Sequence, residues 1–183
     1  VNMTGATNWN GTSTTDTDGI TSERQDVARE AFTIYEQVLG INFIYTTSNS
    51  ADIFITDNDT KSYSRSWRYT SQDPNIFTKN RINIPINWSN SSSSIGGGYT
   101  FQTFVHEIGH THGRALSSCD APGADNDYPY PDADIGIWGF DTINNLYYSP
   151  TARKDYMSYC NPVWVSDYVS LQVYPCISTT SSS

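Results

Sequence analysis

The chain is poor in lysine, histidine and long apolar runs, and each shortage narrows its function. Of 183 residues, only Lys61, Lys79 and Lys154 are lysine, and the net charge is −9 with a sequence pI near 4.5. A protein this acidic repels phosphate backbones and anionic lipid, so nucleic acid and membrane surfaces are not expected partners. No apolar run approaches the roughly 20 residues that span a bilayer. No basic and apolar leader precedes Val1, so any export signal or pro-segment is expected to have been removed. There are three histidines, and no glutamate follows Glu107. The three cysteines, Cys119, Cys160 and Cys176, lack zinc-knuckle spacing. The preferred pairing is Cys119–Cys160, which closes a loop of about 40 residues and is worth on the order of 4 kcal/mol in the chain-entropy account. The alternative is three buried thiols.

What remains is a polar, aromatic-rich composition of single-domain size, able to bury about 70% of its unfolded surface. Thirteen tyrosines and five tryptophans are present. The spacing predicts a helix over 22–39, with Ala28, Ala31, Phe32, Tyr35, Val38 and Leu39 on one stripe, a capping box at Ser22 and Gln25, and Gly40 as its stop. Alternation predicts strands at 41–46, 51–56, 61–70 and 81–87. The third is an exposed edge, and Pro85 marks the last as an edge or bulge. A loop over 88–98 leads to a second helix capped by Thr100. Beyond residue 114 the chain is rich in Asp, Pro, Gly and Tyr. A last helix is expected over 163–174, with Val163, Val165, Tyr168 and Leu171 as contacts. The Ser/Thr tail 177–183 has linker composition.

The pentapeptide His106-Glu107-Ile108-Gly109-His110 carries the chemistry. Histidines at i and i+4 share one helix face, so both rings can reach one zinc ion. Glu107 stands about 100° round the helix, placed to take a proton from a water activated at the metal. Phe101, Phe104 and Val105 give this helix an apolar side, and Gly113 can end it in the left-handed conformation.

HEIGHTHG at 106–113, together with Tyr156-Met157-Ser158-Tyr159, resembles the metzincin metalloproteases, and secreted serralysin-like members in particular. The likeness spans residues 22–174. It implies an α+β fold. An N-terminal subdomain of about 1–113 would hold a twisted mixed sheet and two long helices. An irregular C-terminal subdomain of about 114–176 would hold a methionine turn and a final helix. It also implies a secreted, extracellular monomer with a cleft for protein or peptide substrate, and Tyr159 as an oxyanion-binding catalytic partner of Glu107.

The third metal ligand of that family falls on Leu116, which cannot bind zinc. His112 lies about 200° from His110 on a continuing helix and should miss the metal. The alternatives are Asp120 as an oxygen donor, a two-histidine site completed by water or a foreign donor, and the Cys119 thiolate. Asp120, Asp125, Asp127, Asp132 and Asp134 make calcium a second candidate ion, or simply form a solvated acidic loop. Trp67, Tyr128, Tyr130 and Trp138 could line substrate pockets, with core packing the favoured role for Trp138. Leu116 leaves open a second function: a metzincin-like domain of weak or no activity that binds protein or glycan surfaces.

Overall fold

A computed structural model describes residues 1–5, 16–68, 77–86, 98–141 and 144–173. The expected loop over 88–97, Tyr69, Cys176 and the tail 177–183 lie outside them. The fold is α+β, and the chain divides into two compact units, Val1–Thr111 and His112–Ser183.

In the first unit, helix α1 runs from Ser22 to Leu39. Its cap is Thr21, one residue before the expected box: the Thr21 side chain accepts from the Arg24 amide, while Gln25 donates to the Ile20 carbonyl. Gly40 adopts φ 67° and donates to the Glu36 carbonyl, as a left-handed stop requires. Val27, Ala28, Ala31, Phe32 and Tyr35 form its buried stripe.

The sheet has the order β1-β3-β2, from Ile53–Thr56 (β1), Phe77–Asn83 (β3) and Tyr63–Arg68 (β2). β1 runs parallel to β3 and β2 antiparallel to it, so the sheet is mixed. β2 is an edge, as its sequence suggested. β3 is central and stops at Asn83, so Pro85 falls beyond it rather than within an edge strand. The Arg24 guanidinium holds the chain just past β3, donating to the Ile84 carbonyl at 2.7 Å and the Pro85 carbonyl at 2.6 Å.

Residues 41–46 form no strand. Their amides are claimed by other groups: Phe43 donates to the Glu36 carboxylate at 2.7 Å and Thr46 to the Val1 carbonyl at 2.9 Å. The start of the chain takes the place beside β1. Asn2 donates to the Ile53 carbonyl, and the Ile55 amide donates to the Asn2 carbonyl. Helix α2, Tyr99–Thr111, packs against α1, β2 and β3. Thr100 lies inside it rather than capping it. Phe104 and Ile108 of α2, Phe32 of α1, and Phe54, Ile55 and Ile82 of the sheet are all fully buried.

The second unit has little regular structure. Strands β4 (Gly139–Asp141) and β5 (Leu146–Tyr148) form an antiparallel hairpin. Two-residue strands β6 (Lys154–Asp155) and β7 (Val163–Trp164) pair in parallel. Helix α3 is Asp167–Val173, shorter than expected because 163–164 are committed to β7. Its buried residues are Val169 and Val173, whereas Val165 and Leu171 are exposed.

The hub of this unit is Asp155, which has no exposed surface. Its carboxylate accepts from the Ser117 hydroxyl (3.0 Å), the Met157 amide (2.8 Å) and the Ser166 amide (2.9 Å). The Ser117 amide also donates to the Met157 carbonyl. Cys119 and Cys160 are joined by the expected disulfide. The segment after the HExxH helix is thus tied to the turn at Met157 by side chain, backbone and covalent bond.

Candidate metal centre

Helix α2 presents His106 and His110 on one side while Phe101, Phe104 and Ile108 of the same helix are buried. The helix is held from behind by Tyr35, whose hydroxyl donates to the Val105 carbonyl at 2.7 Å. The two imidazole Nε2 atoms lie 3.2 Å apart, with the rings at 85°. Zinc–nitrogen bonds of about 2.0–2.1 Å at a tetrahedral angle place two ligand nitrogens about 3.3 Å apart. The spacing of the pair matches that of two nitrogens sharing one zinc ion. In the absence of metal the same spacing suits one ring donating to the other.

Glu107 is buried and, among the described residues, receives no hydrogen bond. Burial disfavours its charged form and pushes its pKa up to about 7. A carboxyl group poised there both accepts and returns a proton near neutral pH.

The other expected site residues belong to the second unit. Met157 is fully buried and Tyr159, two residues on, is 56% exposed. The turn that carries Tyr159 is fixed on both sides. The Ser158 amide donates to the Asp155 carbonyl, the Cys160 amide donates to the Ser158 hydroxyl, and Cys160 is anchored to Cys119. The disulfide removes Cys119 as a thiolate ligand: its sulfur is already bonded. The Cys119 and Cys160 sulfurs and an Asp120 oxygen do lie within 4.8 Å of one another. With both sulfurs oxidised, only the Asp120 carboxylate of that group retains a strong metal donor. Asp120 is exposed and adopts φ 53°.

The acidic loop serves its own fold. Asp125 accepts from the Asp127 amide and the Tyr168 hydroxyl, and Asp134 pairs with Lys154 at 2.6 Å. Among the described residues its carboxylates do not converge into a group of three. Tyr128 is core, with its hydroxyl on the Asp134 carbonyl and its ring edge-on to Tyr130 and Tyr168. Trp138 is not core: it is 65% exposed. Its neighbour Gly139 gives the reason, because Trp164 occupies the space behind the hairpin.

Sequence reasoning missed Asp155 as the organiser of the turn at Met157. The signal was present as a buried-type acid two residues before Met157. Its partners Ser117 and Ser166 are 38 and 11 residues away, beyond any local pattern.

Compared with known protein families, with curated proteins and with solved structures, the chain matches none. Among the described residues no helix is long and apolar enough to cross a membrane.

Proposed function

We propose that this chain is a secreted zinc-dependent endopeptidase domain of the metzincin kind, acting as a monomer on protein or peptide substrates. The observation that carries the reading is the 3.2 Å separation of the His106 and His110 Nε2 atoms on one helical face. Asp120 is proposed as the third ligand, an exposed oxygen donor in place of the residue that Leu116 replaces. Zinc held by these residues would supply a Lewis acid that acidifies water and polarises the scissile carbonyl.

The chain's own groups do the rest. Glu107 takes a proton from the attacking water and delivers it to the departing amine, a cycle that suits its near-neutral pKa. Tyr159 donates its phenolic hydrogen to the oxyanion; donors in that role are typically worth about 3–4 kcal/mol. The edge strand β2 pairs with the extended substrate backbone. The Cys119–Cys160 disulfide supports an oxidising, extracellular setting.

The test measures zinc content by mass spectrometry and cleavage of a quenched fluorescent peptide library. Cleavage that a chelator abolishes, that zinc restores, and that Glu107→Ala eliminates is the expected result. A folded protein that neither binds zinc nor cleaves any peptide overturns the assignment. Leu116 specifically favours the second reading, a domain of weak or no activity that binds protein or glycan surfaces; that outcome would support it.

A further inference from the structure

We infer that the β4–β5 hairpin is a carbohydrate platform that takes a neutral, β-linked glycan on the rings of Trp138, Phe140 and Tyr147. These rings are 65%, 42% and 69% exposed, in a protein that buries Phe32, Phe54 and Phe104 completely. Phe140 and Tyr147 are directly opposed in the hairpin, with ring centroids 4.7 Å apart and planes inclined by 31°. Trp138 immediately precedes β4, two residues from Phe140, the spacing that returns a side chain to the same face of an extended chain.

The reverse side of the hairpin holds this face rigid. A Cβ on Gly139 would lie 2.6 Å from the Trp164 indole nitrogen, so glycine is what lets Trp164 close against the strand. Tyr148 meets Trp164 edge-on at 5.0 Å, and the Arg153 guanidinium covers the Tyr148 ring at 4.0 Å. Asp141 accepts from the Tyr148 hydroxyl and from the Asn144 backbone and side-chain amides. Rings fixed in this way lose little freedom when a ligand settles on them.

Size and charge select the ligand. Aromatic side chains of about 150–250 Å², exposed to this degree, offer on the order of 300–400 Å² together. A stable protein interface needs about 800 Å² per partner. The patch is half of that, too small for a second copy of the chain and suited to two or three sugar rings. The C–H face of a pyranose is apolar and flat, while its equatorial hydroxyls stay in water at the rim. β-Linked chains are extended, and so present successive rings to a flat surface. The hairpin's Asp141 is already satisfied, Arg153 is committed to the reverse side, and the whole chain carries −9. Sulfated or uronic glycans and anionic vesicles are therefore disfavoured, and a neutral glycan is the complement.

The test is binding of the full chain to a glycan array, followed by calorimetric titration with cellohexaose and chitohexaose. Saturable binding to neutral β-linked glycans is expected. Trp138→Ala and Tyr147→Ala should each weaken it about tenfold, the share a stacking ring contributes. Leu171→Ala, an exposed apolar residue elsewhere, should leave it unchanged, and circular dichroism should show all three variants folded. No neutral glycan bound on the array overturns the inference, as does binding that both ring variants retain. Dimerisation, or adsorption to phosphatidylcholine vesicles, that Trp138→Ala abolishes while no glycan binds would also overturn it. Glu107→Ala should bind glycan as the parent does, so the outcome is independent of the peptidase reading.

Discussion

Asp155→Ala should destabilise the second unit by about 2–4 kcal/mol. The side chain is wholly buried and accepts from Ser117, Met157 and Ser166. The Ser117 hydroxyl can rotate to another acceptor, but the Met157 and Ser166 amides cannot. Leaving a buried donor unpaired costs about 1–3 kcal/mol each. Part of that cost is offset because burial, the largest influence on Asp155, opposes its charge and raises its pKa. Asp155→Asn preserves the shape but sets an amide donor against one backbone donor, so its cost should be the smaller of the two.

The pH dependence follows from the raised pKa. The folded protein holds this proton more tightly than the unfolded chain, so the favourable contribution is full below the unfolded value and is lost as pH rises through the folded one. The penalty of Asp155→Asn relative to wild type should therefore be largest in acid and shrink as pH rises. Urea titration followed by tryptophan emission at several pH values measures both effects. A cost below about 0.5 kcal/mol for Asp155→Ala, or a larger cost for Asn than for Ala, refutes the assignment of Asp155 as the hub.

Three further outcomes are expected. Gly139→Ala places a methyl group against the Trp164 indole; it should cost about 1–3 kcal/mol and shift near-ultraviolet circular dichroism, and an unchanged spectrum would contradict the packing. Cys119→Ser with Cys160→Ser opens a bridge across a sequence separation of 41. That should lower stability in denaturant titration by about 4 kcal/mol in the chain-entropy account, and no loss would mean the unfolded chain gains little freedom. Leu116→His should raise zinc affinity at least about tenfold by competition with a chromogenic chelator, as a third nitrogen donor would; unchanged affinity would clear position 116 of weakening the site.

The parts legible in the sequence were those fixed by local periodicity. Ala28, Ala31, Phe32 and Tyr35 repeat at helical spacing and are buried, and Gly40 ends their helix. His106 and His110 fall on one face because four residues make roughly one turn. Long-range competition erased the rest. Ile41 to Thr46 alternates like a strand, yet Glu36 and Val1 take two of its amides. Pro85 looked like an interruption of a strand, but Arg24, about sixty residues earlier, organises that stretch through its carbonyls. Trp138 has core composition, but Trp164 already fills the place behind it. Asp155 looked like an ordinary acid until the distant donors Ser117 and Ser166 were in place.

The pairing of Asn2 with β1 bears on how the protein survives handling. Ile53, Phe54 and Ile55 present an apolar strand whose outer hydrogen-bonding groups are met by the amide and carbonyl of Asn2. Displacing Val1–Met3 from β1 would bare that edge, and a bare apolar edge recruits strands from other molecules. Loss of that pairing is thus a route to aggregation that leaves every residue of the candidate metal centre intact.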